Sequence, residues 1–181
     1  RVQIIQDMGK QEHYKTQRMH PLFADARAMR PQPPGTIARG DLRDDAHYFE
    51  GKANGDWTTT FPPRLEITET FVRRGQQRFN IYCSTCHGLG GAGDGIVAQR
   101  ALALDTKGWT IPTSLVSQTV IERPLGHIFN TITNGIRTMP PYGDQIPERD
   151  RWAIIAYIRA LQRSQNSHVE DVPLELRPEL R

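Results

Sequence analysis

Two thiols and an imidazole stand together in the string Cys83-Ser84-Thr85-Cys86-His87, and these are the only two cysteines of the chain. Cysteines separated by two residues lie on one turn of helix, where both can bond the vinyl groups of a single porphyrin. The histidine directly after them is placed to coordinate the iron. C-x-x-C-H is the attachment signature of a c-type haem, and its chemistry is to hold and pass electrons. The other uses of C-x-x-C each lack a partner here. Zinc needs more ligands than one cysteine pair supplies, and there is no second pair. A thioredoxin-like redox pair needs no adjacent histidine and sits in a βαβ pattern, which does not surround this motif. A disulfide between residues three apart would be strained and would close almost no loop.

Haem iron used for electron transfer takes a second axial ligand, most often methionine beside histidine, which raises the potential relative to a second imidazole. Met8, Met19 and Met29 lie early in the chain, whereas Met139 sits in Thr138-Met139-Pro140-Pro141-Tyr142. Flanking prolines restrict the backbone, so that loop can present a thioether rigidly. Histidine is the rival ligand. His127 reads as a satisfied histidine on a helix with Ile128 and Phe129; His13, His20 and His47 belong to the N-terminal stretch and His168 to a polar tail. Trp109, Arg137 and Tyr142 are candidates for the haem propionates, since a guanidinium makes charge-assisted bonds to carboxylates and an indole N–H or phenol O–H can donate to one. For the two aromatic residues, plain lining of the pocket is an equal reading.

Positioning these groups requires helices. Thr68 is a good N-cap with Glu69 behind it, and Phe71, Val72, Gly75, Phe79 and Tyr82 recur every three to four residues, so a helix is expected over 68–83. Gly75 costs such a helix about 1 kcal/mol relative to alanine, which points to close approach of a second helix. The partner is expected over 147–163, opened by Pro147 and carrying a stripe of Trp152, Ile155, Ala156, Ile158 and Leu161. Between them come a glycine-rich stretch, Gly88 to Gly95, a loop with Trp109, Ile111 and Pro112, and a short helix over 125–133 that stops at Asn134-Gly135. The expected organisation is mainly α: an extended, irregular N-terminal arm (1–67), a haem domain (68–165) and a tail (166–181). Pro21, Pro31, Pro33, Pro34, Pro62 and Pro63 break helices in the arm. Its Met19, Leu22, Phe23, Ile37, Leu42, Tyr48, Phe49, Trp57 and Phe61 are too apolar for a solvated linker, so the arm is expected to lie against something.

Composition limits the partners. The 181 residues carry a net charge of +3 and a hydrophobic fraction of 37%. Such a mild field can orient a protein partner but does not grip nucleic acid, and no run of Lys/Arg with interleaved aromatics is present. The longest apolar run, Trp152 to Ile158, is far short of the roughly 20 residues that cross a bilayer. The start at Arg1, with no methionine or signal sequence, reads as a processed form.

Residues 68–163, with Gly75 and Phe79, Cys83-Ser84-Thr85-Cys86-His87, Met139-Pro140, and Trp152 with Tyr157, resemble a class I cytochrome c domain. The arm carries a narrower resemblance. Tyr14-Lys15, Pro21-Leu22-Phe23 and Gly35-Thr36-Ile37-Ala38-Arg39-Gly40, with Leu42-Arg43 and Tyr48, are similar to the monohaem cytochrome c subunit of bacterial alternative complex III, a quinol:electron acceptor oxidoreductase. The resemblance implies one covalent haem c held by Cys83, Cys86, His87 and Met139. It also implies a periplasmic, extracytoplasmic position on the inner membrane and neighbouring subunits that include a pentahaem cytochrome c. Downstream stands a terminal oxidase or a mobile carrier. The family's lipid-bearing cysteine has no counterpart in this sequence, so an anchor before Arg1 stays open. The other readings are a free diffusible periplasmic cytochrome c and a gas-binding haem protein; Met139 argues against the latter.

Overall fold

The computed structural model describes residues 4, 5, 8, 11–39 and 41–179, so Gly40 of the arm motif and the first and last residues of the chain lie outside the described part. The chain divides into two compact units, Arg1–Leu42 and Arg43–Arg181. The second unit begins well before the expected boundary at residue 68.

By itself, the first unit is not simply extended. Met19 and Arg27 form an isolated antiparallel bridge, with His20 N donating to Ala26 O at 3.0 Å and Ala28 N to Arg18 O at 2.9 Å. Arg30 clamps this hook: its guanidinium lies 4.0 Å from the Phe23 ring centroid and 2.6 Å from Asp25. Ile4, Ile5, Met19, Leu22, Ile37 and Leu42 are exposed.

The second unit opens with α1 (Ala46–Glu50), capped by the Asp45 carboxylate, which accepts from Tyr48 N. A two-strand hairpin follows, β1 (Lys52–Ala53) antiparallel to β2 (Asp56–Trp57). Asn54 and Gly55 turn it, both at positive φ, as an Asn-Gly hairpin turn requires. Next come α2 (Glu69–Tyr82), α3 (Ser84–His87), α4 (Ile96–Ala103), α5 (Gln118–Ile121), α6 (Leu125–Asn134) and α7 (Glu148–Gln165). Thr68 caps α2 by accepting from Phe71 N, and Pro147 stands at the start of α7. The three expected helices are thus present to within two residues at each end, while α1, the hairpin, α4 and α5 are additional.

The core is the crossing of α2 on α7. A Cβ on Gly75 would sit 1.9 Å from Ala153 O, so the two backbones touch where glycine stands. Phe79 then packs on Tyr157, ring centroids 5.3 Å apart, and Arg74 and Arg78 both reach the Asp150 carboxylate. Trp152 is fully buried, stacked on Phe129 of α6 at 4.6 Å. Its Nε1–H donates to Tyr48 O at 2.9 Å. Gly126 N donates to Thr58 O at 2.9 Å, and a Cβ on Gly126 would fall 1.8 Å from Gly51 O. Residues 43–61 therefore form a strap seated on α6 and α7. The prolines of this stretch made it read as arm; its Tyr48, Trp57 and Phe61 belong to the domain instead.

Candidate functional site

Cys83 closes α2 and opens α3, so the motif rides on the end of the helix that Gly75 pins to α7. Gly88, at φ +75°, stops α3. Gly93 N returns to His87 O at 2.8 Å and Gly95 N to Cys86 O at 3.1 Å, folding the glycine-rich stretch back over the motif. A Cβ on Gly95 would stand 2.3 Å from Thr85 O, which is why glycine serves there.

A cavity of about 390 Å³ lies beside this turn. All seven residues singled out in the sequence line it: Cys83, Cys86, His87, Trp109, Arg137, Met139 and Tyr142. The walls are otherwise largely apolar, with Phe79, Ile128, Ile132, Ile154 and Ile158 from α2, α6 and α7. A separate hollow of about 280 Å³ uses other residues of α6, Phe129, Asn130, Thr133 and Asn134, and contains none of the seven.

Met139 is delivered by a tight turn. Ile136 N donates to Met139 O at 3.1 Å and Met139 N to Ile136 O at 2.9 Å, with Gly135 and Arg137 both at positive φ. A Cβ on Gly135 would stand 2.4 Å from Met139 O. Tyr142 N then bonds Ile132 O at 3.0 Å, tying the Met-Pro-Pro segment to α6.

The polar atoms of the wall are poised for a ligand. Both thiols are free. Burial, and then the neighbouring Cys86, push the Cys83 thiol up to about 12. Burial lowers the His87 imidazole, with the facing Thr113 backbone offsetting part of the effect, and its Nδ1 makes no hydrogen bond of normal geometry. Burial, followed by the two cysteines, raises the Tyr142 hydroxyl. Trp109 Nε1 is buried without any partner, an unsatisfied donor in an apolar wall. Two free thiols, a half-buried imidazole, a thioether on a rigid turn and an orphan donor together fit a covalently attached haem c. No group of three or more His, Cys, Asp or Glu side chains suited to a metal ion occurs among the described residues.

Two further residues line the same cavity, Arg123 and His127. His127 had read as a satisfied helix histidine. Its nearest polar partner is Arg123 Nη1 at 3.5 Å, and its exposure is intermediate. The signal was available in the spacing, because His127, Ile128, Thr131 and Ile132 share one face of α6. His47 and His168 are not in the wall. His47 Nε2 lies 2.9 Å from Thr58 Oγ1 and 3.0 Å from Thr60 O.

Residues 70–158 match the family model described as cytochrome C oxidase, cbb3-type, subunit III. No curated protein matches the chain. Among solved structures, it is similar to a reducing HAO-like protein complex of Kuenenia stuttgartiensis, with 21% identity and a TM-score of 0.46 over 64% of this chain and 54% of that one. It is also similar to cytochrome cL of the methylotroph Methylophaga aminisulfidivorans, with 17% identity and a TM-score of 0.36 over 71% and 89%. The chain thus spans about half the length of the first of these.

Proposed function

Starting from a class I cytochrome c domain that carries covalent haem c, we propose that this chain is the one-electron relay of a membrane-bound quinol-oxidising assembly, the monohaem subunit of an alternative complex III. Cys83 and Cys86 would hold the porphyrin by thioether bonds, and His87 and the Met139 sulfur would ligate the iron. Trp109 Nε1–H and Arg137 would bind propionate oxygens, and Tyr142 would close the wall. Bound there, haem c supplies a site that gains and loses single electrons. The apolar wall excludes water, and the pinned α2, the α3 turn and the 136–139 turn hold the ligands at fixed positions. Quinol gives up two electrons and one haem takes one, so quinol oxidation itself would belong to neighbouring subunits, with a pentahaem cytochrome c passing electrons in. An oxidase or a mobile carrier would take them out. Haem is attached to this motif outside the cytoplasm, which supports a periplasmic position. Membrane attachment would come through the assembly, with or without a lipid anchor; among the described residues no helix is long and apolar enough to cross a membrane.

The observation that carries the subunit reading is the first unit. Ile4 is 94% exposed, Leu22 83% and Met19 72%, on a segment that already has internal order. Large apolar side chains left this exposed on an ordered segment support an interaction surface there. Native electrophoresis of gently solubilised membranes with haem staining tests it. The protein is expected in a large multihaem band; migration as a monomer without detergent contradicts the subunit role and favours a diffusible carrier.

A further inference from the structure

The haem cavity contains one polar cluster to which nothing so far gives a role. A haem brings two propionates into its cavity, and among the described residues the charged side chains of the wall are Arg123 and Arg137. Arg137 stands two residues before Met139, and the orphan Trp109 donor is in the same wall. Arg123 lines the same wall from just before α6. Its backbone is fixed: Arg159 of α7 donates to Ile121 O at 2.8 Å and to Arg123 O. One turn along, its Nη1 lies 3.5 Å from His127 Nδ1.

Two nitrogen groups facing each other at that separation form a poor bond. Burial and Arg123 both disfavour a second positive charge on the imidazole. Nothing else nearby relieves this. Among the described residues, no carboxylate lines the cavity. From the hairpin, the Trp57 ring meets His127 edge-on at 5.9 Å, and Lys52 Nζ lies 5.0 Å from the centroid of that same ring. Asp56, beside Trp57, is exposed on the strand. His47 is engaged with Thr58 and Thr60. The cluster therefore offers donors and cations with no anion.

We propose that Arg123 and His127 form a second carboxylate-binding point of the haem cavity, and that the His127 imidazole takes up a proton from solvent when the haem is reduced, making the midpoint potential depend on pH. One electron enters from the redox partner, and up to one proton moves from water to a ring nitrogen; no other bond forms or breaks. Reduction removes a positive charge from the iron, so the proton is held more tightly in the reduced state. The potential must then fall as pH rises between the imidazole pKa of the oxidised and of the reduced protein. A tenfold difference in proton affinity between the two states corresponds to a total fall of about 59 mV for one electron.

This inference rests on the haem being held in this cavity. Spectroelectrochemical titration of the purified holo-protein between pH 5 and 9 tests it, with His127→Gln, Arg123→Gln and His47→Gln. Wild type and His47→Gln are expected to show the pH-dependent fall, His127→Gln to be flat, and Arg123→Gln to have a lower potential than wild type at pH 9. A slope that survives in His127→Gln, or none in wild type, overturns the proposal. Should a variant fail to fold, NMR titration of His127 in the wild-type holo-protein decides: its pKa is expected to be higher in the reduced state, and equal values refute the proposal. A fault in the ligand assignment would appear differently, as loss of the low-spin spectrum of the wild type.

Discussion

Gly75→Ala sets two effects of opposite sign against each other at the point that positions the haem motif. In the interior of α2, alanine is favoured over glycine by about 1 kcal/mol. The added methyl, however, would stand 1.9 Å from Ala153 O, 2.5 Å from Ala153 C and 3.1 Å from Ile154 N. All three are backbone atoms of α7 and cannot rotate away. Reaching ordinary contact requires α2 and α7 to part by roughly 1.5 Å in a core packed at crystal-like density. Overpacking of this kind costs about 1–3 kcal/mol, and more where backbone must move. Phe71, Phe79, Trp152 and Ile154, all buried at this crossing, loosen with it. Because backbone must move here, the cost is about 3–5 kcal/mol; less the helix gain of about 1 kcal/mol this leaves a net loss of about 2–4 kcal/mol, which for a unit of this size lowers the melting temperature by roughly 6–12 °C. Thermal melts of the holo-protein followed by circular dichroism measure this, with Gln76→Ala, exposed on the same helix, as the control. The variant should also accumulate less covalent haem, because Cys83 ends the displaced helix. A Gly75→Ala protein that melts at or above the wild-type temperature would refute the close-crossing argument.

Two other outcomes follow from the structure. A chain cut to begin at Arg43 should fold and retain haem, whereas one beginning at Thr68 should lose about 3 kcal/mol or more, because Trp152 Nε1 then loses its acceptor and the Trp152 ring its His47 and Phe61 neighbours; equal melting temperatures would show the strap to be dispensable. Burial raises the Tyr142 hydroxyl above its ordinary value, so the associated stability is present below the unfolded pKa of about 10 and is lost as pH rises through the folded one. Urea unfolding at pH 9 and pH 11 should show a smaller alkaline loss in Tyr142→Phe than in wild type, and parallel losses would remove Tyr142 from that role.

The haem motif, the methionine turn and the three main helices were legible in the sequence, because each rests on local rules. C-x-x-C-H has few competing uses, Thr68 and Pro147 mark helix starts, and 3.6-residue periodicity gives the apolar stripes. Gly75 was legible for the same reason, as a costly residue in a helix that otherwise follows the rules. The strap was not. Pro62 and Pro63 and the short elements α1, β1 and β2 give no sustained period, and what seats residues 43–61 is long-range: Tyr48 O on Trp152, Thr58 on Gly126, Trp57 against His127. The same contacts were hidden at His127, which has Arg123 as its helix-side partner but also meets the Trp57 ring and lines the cavity. Helix α4 escaped notice because Ile96, Val97 and Leu102 are exposed and only Ala98 is buried, so no inward stripe marks it.

The central claim is that the iron is held between His87 and Met139 in a closed, electron-transferring site. Its most direct test is the carbon monoxide difference spectrum of the reduced holo-protein, native and Met139→Ala. The native protein is expected to show no rapid shift, and the variant, its distal position open, a stoichiometric one. Rapid, stoichiometric binding to the native protein, or a variant that stays low-spin, unreactive and unchanged in potential, would contradict it.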